Sequence, residues 1–125
     1  MTTMLIVDDE MDMRMLVRVV IEIANEGLSI VGEAADGAEA LQVWRDLDGP
    51  PVPDVVILDN RMPELTGLEV AEQILTERPA QLIVLYSAFL DEEVRSEAAR
   101  IGIARCVSKE DLDRLPAVIR ELTAA

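Results

Sequence analysis

Five polar residues follow short apolar runs in this chain. Asp8 and Asp9 come after Met4-Leu5-Ile6-Val7, and Asp59 after Val55-Val56-Ile57-Leu58. Ser87 comes after Leu82-Ile83-Val84-Leu85-Tyr86, and Lys109 after Arg105-Cys106-Val107-Ser108. Runs of this length, rich in Val, Ile and Leu, suit strands buried on both faces. Four strands would then deliver five polar groups to one edge of a parallel sheet, where open α/β folds place their chemistry. Crowded acids repel one another, so the cluster makes sense around a cation. The lysine and the hydroxyl ask for a second guest, an anion whose oxygens need neutralising. A divalent metal together with a phosphoryl group meets both demands.

Taken singly, each residue has a plainer explanation. Asp8-Asp9-Glu10 could cap a helix and place acids in its first turn. A serine at a strand end says little, and most lysines are solvated. The combination carries the signal. Adjacent acids at a strand end send their side chains to different sides, so one can reach a metal directly and the other through water. Mg²⁺, which keeps several waters, suits that arrangement. Asp59 is a weak nucleophile by itself, but toward a phosphoryl group whose charge is neutralised its attack becomes a matter of position.

The elements that must hold these residues are legible in the pattern. Apolar runs at 4–7, 28–32, 55–58, 82–86 and 103–107 alternate with helical stretches near 12–25, 37–47, 67–77, 91–101 and 113–123. Five strands alternating with five helices predict a doubly wound α/β sheet. Breakers fall between elements: Gly27 closes the first helix, Asp36-Gly37 opens the second, Gly49-Pro50-Pro51 lies in a loop at 48–53, and Gly102 ends the fourth helix. Pro116 predicts a late start for the last helix, near Asp113 with that side chain as N-cap. On the first helix, Met13, Leu16, Val17, Val20, Ile21 and Ala24 form the expected core face, and Arg14, Arg18 and Glu22 a polar strip. Met15 and Val19 lie beyond that strip and predict a docking face.

Composition narrows the function. The 125 residues make one domain, 1–125, with half the chain hydrophobic. With 11 basic and 25 acidic residues, the net charge of -14 disfavours nucleic acid and anionic membranes as partners. The single Cys106 cannot form an internal disulfide, and neither a signal peptide nor a spanning segment is visible, so a cytoplasmic location is expected.

The five residues in this order resemble the receiver domain of two-component response regulators. The resemblance runs from Leu5 to Leu122. It is strongest at Leu-Ile-Val-Asp-Asp-Glu (5–10), Asp-Gly-Ala-Glu-Ala-Leu (36–41), Pro-Asp-Val-Val-Ile-Leu-Asp (53–59), Met-Pro (62–63), Gly-Leu-Glu (67–69), Ser-Ala (87–88) and Lys109. It implies a flavodoxin-like fold with strand order 2-1-3-4-5. It implies that Asp59 accepts a phosphoryl group from the phosphohistidine of a histidine kinase or a histidine phosphotransfer protein. Mg²⁺ (or Mn²⁺) would be held by Asp9, Asp59 and the Arg61 main-chain carbonyl, with Asp8 acting mainly through water. Ser87 and Lys109 would hold the phosphoryl oxygens. The output would be a downstream protein, a fused module or a second copy of the chain, and the domain would not turn over a free substrate.

The chain departs from the family pattern in three ways. Cys106 stands where a switching Tyr or Phe is usual, and a thiol cannot fill an aromatic-sized slot. Glu110 replaces the common proline after the lysine. Arg61 and Phe89, both bulky, stand where the resemblance places the side chains around the attacking water. Two rival functions remain on the sequence alone. An aspartate-nucleophile phosphohydrolase would carry Asp-x-Asp after its first strand, where this chain has Asp-Asp-Glu. A phosphorylation-independent interaction module would not need all five site residues.

Overall fold

The computed structural model describes residues 1–24, 26–47 and 53–124. The predicted loop with Gly49-Pro50-Pro51 lies largely outside them. Five parallel strands, β1 (Thr2–Val7), β2 (Leu28–Ala34), β3 (Val55–Asp59), β4 (Leu82–Ser87) and β5 (Arg105–Ser108), form one sheet in the order β2-β1-β3-β4-β5. The expected flavodoxin-like topology is therefore present. Helices α1 (Met11–Ala24), α2 (Gly37–Asp46), α3 (Gly67–Glu77), α4 (Glu92–Ile101) and α5 (Leu115–Thr123) connect the strands or follow them.

Period-two alternation divides the core into two layers. Met4, Ile6, Val55, Ile57, Val84 and Tyr86 face α1 and α5, and pack with Val17, Ile21, Leu115 and Ile119. Leu5, Val7, Val56, Leu58, Ile83 and Leu85 face the other way, against Leu41, Trp44, Val70 and Ile74. Both faces of the central strands are buried, which is why their sequences are continuous apolar runs. Among the described residues, no helix is long and apolar enough to cross a membrane.

The breakers act as predicted where they are described. The Asp36 side chain accepts a hydrogen bond from the Glu39 N–H at 2.8 Å and caps α2. Gly102 ends α4 in the left-handed region, φ 105°. Two expected element starts need correction. Strand β5 begins at Arg105, two residues late. The last α-helix begins at Leu115, and Asp113 is not its cap. A 3₁₀ segment, Lys109–Arg114, comes first, with the Ser108 hydroxyl accepting from the Glu110 N–H at 3.2 Å. Asp111 interrupts it with φ -106° and ψ 31°. Pro116 sits in the first turn of α5, where no N–H is needed.

On α1 the core face is narrower than predicted. Val17 and Ile21 are buried and Met13 and Val20 pack partly against them, but Leu16 is 48% exposed. It joins Met11, Met15, Val19 and Ile23 in an exposed apolar arc that spans about 140° at 100° per residue.

The end of β3 is fixed by a close approach. A Cβ at Gly67 would lie 2.3 Å from the Asp59 carbonyl oxygen and 2.8 Å from the Asn60 Cα. The Gly67 N–H donates to the Asn60 carbonyl at 2.9 Å, and the Leu68 N–H to the Asn60 side chain at 3.2 Å. A capping box between Thr66 and Glu69 completes the first turn of α3. Helix α3 is thereby seated directly on the backbone of Asp59. Replacing Gly67 with alanine should push these segments apart and lower stability by about 1–3 kcal/mol. A urea unfolding midpoint equal to the parent's would contradict this close packing.

Candidate functional site

Asp8 follows β1 directly and is fully buried. Its N–H donates to the Ala34 carbonyl at 3.1 Å, which extends the β1–β2 ladder by one residue. Its carboxylate is engaged on both oxygens. Oδ1 accepts from the Glu10 N–H at 2.8 Å. Oδ2 accepts from the Tyr86 hydroxyl and lies 3.1 Å from the Lys109 ammonium. Its carbonyl oxygen accepts from Arg14 at 2.6 Å, and Arg14 and Arg18 both pair with Glu33 of β2. The polar strip of α1 is thus a clamp that holds the helix against the end of the sheet.

Asp59 is 2% exposed and ends β3. Its Oδ1 lies 3.2 Å from the same Lys109 ammonium. One cation therefore spans two buried carboxylates. Burial and the neighbouring Asp8 charge push the Asp59 carboxyl up to about 6, although Lys109 and the Arg61 main-chain N–H pull it down. Burial works to lower the Lys109 ammonium, but the two carboxylates outweigh it and hold the group above its usual value. Two negative charges facing one positive leave the pocket short of positive charge.

Asp9 and Glu10 stand exposed at the mouth, with carboxylate oxygens that lie with one from Asp8 within 4.8 Å of one another. Hard oxygen donors beside a deficit of positive charge fit Mg²⁺ or Mn²⁺. The chain offers no histidine for a softer ion.

The structure brings Asp8, Asp59 and Lys109 together, with Asp9 beside Asp8, and among the described contacts the Ser87 side chain meets only the Phe89 backbone. The buried Ser87 hydroxyl accepts from the Phe89 N–H and donates to the Phe89 carbonyl, both at 3.2 Å. Phe89 is exposed, and the Arg61 guanidinium stacks 4.2 Å from its ring centroid. The two bulky departures therefore touch each other above the end of the sheet. Cys106 is half-buried, and burial pushes its thiol up. A cavity of about 300 Å³ beside it is lined by Arg95, Arg105, Arg114 and Val118.

Sequence reasoning missed Tyr86. It is fully buried, pairs in register with Asp59, places its ring 5.0 Å below the Lys109 ammonium, and donates to Asp8. The available signal was an aromatic hydroxyl at the end of an otherwise aliphatic strand, because a buried tyrosine hydroxyl needs a partner.

Known proteins resemble this chain in sequence and fold. Residues 4–120 match the family model of the response regulator receiver domain. The chain is 34% identical over 122 residues to protein CcdB of Bacillus subtilis, covering 96% of this chain and 97% of that protein. It is 34% identical over 98 residues to the chemotaxis protein CheY of Thermotoga maritima, covering 78% and 77%. The crystal structure of the response regulator TrrA of Thermotoga maritima, in complex with Mg²⁺ and BeF, superposes with a TM-score of 0.79 at 33% identity. That match covers 98% of this chain and 99% of TrrA.

The raised Asp59 carboxyl has a consequence for stability in chelator. Below its unfolded value of 3.8, both states hold the proton. Between 3.8 and about 6 the folded chain keeps a proton that the unfolded chain has released, so stability falls as pH rises through that window. Above it the cost is complete. Asp59→Asn should therefore stabilise the protein at pH 7.5, on the order of 1–2 kcal/mol after allowance for solvent screening. The gain should shrink toward zero near pH 4 and in millimolar Mg²⁺. Chemical unfolding at the two pH values checks this, and an equal gain at both would contradict it.

Proposed function

The chain belongs to the response regulator receiver family, and from that premise we propose that it is a phosphoacceptor signalling domain. In this reading Asp59 takes a phosphoryl group from the phosphohistidine of a histidine kinase or histidine phosphotransfer protein. A downstream protein or a fused output module then responds to the change. The observation that carries it is the Lys109 ammonium shared between two buried carboxylates beneath the exposed Asp9 and Glu10.

The chemistry follows from the residues. An Asp59 carboxylate oxygen attacks phosphorus in line, the acyl phosphate bond forms, and the bond from phosphorus to the imidazole nitrogen breaks with its electron pair leaving on the ring. Mg²⁺ or Mn²⁺, when bound, neutralises charge on the carboxylates and on the transferring group. Asp9, Asp59 and the Arg61 main-chain carbonyl are its proposed direct ligands. Asp8 acts mainly through water, which agrees with both its oxygens being taken by protein donors. Lys109 already faces Asp59 and needs little movement to pair with a phosphoryl oxygen there. For Ser87 to donate to another oxygen, it must release the Phe89 carbonyl. That exchange would move the loop bearing Phe89 and its Arg61 stack, a first step in passing the signal outward. The complex of TrrA with Mg²⁺ and BeF supports the assignment by likeness. A regulatory role, in which Asp59 is modified and released rather than a free substrate turned over, fits the same residues.

The exposed arc of Met11, Met15, Leu16, Val19 and Ile23 is the proposed docking face for the donor's helices. Helix α1 starts three residues after Asp8, so a partner lying on this arc sits beside the pocket its phosphohistidine must enter.

Acetyl phosphate with Mg²⁺ should add one phosphoryl mass to the protein, and Asp59→Asn should gain none. Undiminished labelling of Asp59→Asn would refute the assignment. The Arg61–Phe89 stack should also slow hydrolysis by shielding the line along which water approaches. Phe89→Glu and Arg61→Asn should each shorten the lifetime of the phosphorylated protein severalfold, about 1 kcal/mol of barrier. Decay no faster than in the parent would mean that the stack does not shield the bond.

A further inference from the structure

We infer that Tyr86 is a positioning residue of the phosphoacceptor pocket: its hydroxyl holds Asp8 and its ring underlies Lys109, so that the ammonium stays divided between Asp8 and Asp59. The inference rests on the phosphoacceptor reading and deepens it.

The geometry points this way at three atoms. The Tyr86 hydroxyl and the Lys109 ammonium both serve Asp8 Oδ2, while Asp8 Oδ1 is taken by the Glu10 N–H. The same ammonium lies 3.2 Å from Asp59 Oδ1. Its third neighbour is the face of the Tyr86 ring, 5.0 Å away, a favourable site for a cation. Tyr86 itself is fully buried in the layer facing α1 and α5. A buried hydroxyl needs some acceptor. Here the acceptor is the charged group that competes with Asp59 for the only lysine in the chain.

The consequence follows from charge balance. A buried carboxylate draws whatever donors it can reach. With the tyrosine hydroxyl present, part of the Asp8 charge is met by a neutral donor and Lys109 is left free to face Asp59. Without it, Asp8 must take more of the ammonium, and Lys109 swings from the phosphoryl position. The pocket keeps its net charge, but its carboxylates are then served by one fewer donor, which favours a divalent cation. Loss of one hydroxyl should therefore tighten Mg²⁺ binding and slow phosphorylation. A residue that only fills the core cannot move these two quantities in opposite directions.

The test compares the intact protein with Y86F, which keeps the ring and removes only the hydroxyl. Mg²⁺ affinity is taken from the rise of the unfolding temperature with Mg²⁺ concentration. Labelling is followed with acetyl phosphate at saturating Mg²⁺. In Y86F, Mg²⁺ should bind severalfold tighter and labelling should slow about tenfold, the scale of one hydrogen bond to a charged group. Both unchanged, or both weakened together, would overturn the positioning role. If Y86F does not fold, the wild type decides. Tyr86 is its only tyrosine, so ¹³C-tyrosine labelling gives one ring signal. That signal should shift with Mg²⁺ and again with beryllofluoride, and a signal indifferent to both would overturn the inference. A wild type that acetyl phosphate cannot label refutes the phosphoacceptor reading itself, while the Mg²⁺ comparison still decides whether Tyr86 positions the pocket.

Discussion

One ammonium group stands between two carboxylates that the fold has taken out of water. Lys109 lies 3.1 Å from Asp8 and 3.2 Å from Asp59, and neither carboxylate makes another ion pair among the described interactions. Removing ions from water is costly, and a buried group left unpaired costs more than its pair contributes. The pocket is therefore held at a deficit, with one positive charge for two negative ones. Burial, with the neighbouring Asp8 charge second, lifts the Asp59 carboxyl to about 6, and the deficit makes the site receptive to a cation. A balanced pocket would fold more easily and bind less.

The rest of the fold serves that arrangement. The doubly wound topology brings the C-terminal ends of β1, β3 and β4 side by side and places Lys109 just past β5. Strand alternation directs Asp8, Tyr86 and Asp59 to compatible positions, because Tyr86 pairs with Asp59 across β3 and β4. Gly67 lets α3 sit directly on the Asp59 carbonyl, and the Arg14–Glu33–Arg18 clamp holds α1 beside Asp8. At the rim, Ser87 is tied to the Phe89 backbone, and Phe89 to Arg61. A new acceptor for the serine would move all three.

Much of this was legible in the sequence, for definable reasons. Strands buried on both faces write continuous apolar runs, so β1, β3 and β4 and the acids after them stood out. Asp36 and Gly102 mark helix ends through local chemistry that needs no tertiary information. The errors fall where tertiary contacts decide. Leu16 is periodic with the core face yet exposed, because the packing of α1 covers a narrower arc than its hydrophobicity suggests. The start of α5 was misplaced because Ser108 nucleates a 3₁₀ segment that carries the chain past Asp113. Tyr86 looked like one more strand residue, and only its position opposite Asp59 turns its hydroxyl into a contact with Asp8. Ser87 lies at the end of β4 as expected, and its hydroxyl bonds to the Phe89 backbone.

The pocket depends on where the Lys109 charge resides, and this chain has no other lysine. Lysine-specific ¹³C and ¹⁵N labelling therefore reports that single group without ambiguity. The protein should be observed in chelator, with Mg²⁺, and with Mg²⁺ plus beryllofluoride. The lysine should give the signal of a protonated ammonium, slow to exchange with solvent in chelator, that moves when the phosphoryl mimic joins Asp59. Asp59→Asn should abolish the second movement. A lysine signal at free-solution values, unaffected by the mimic, would contradict this.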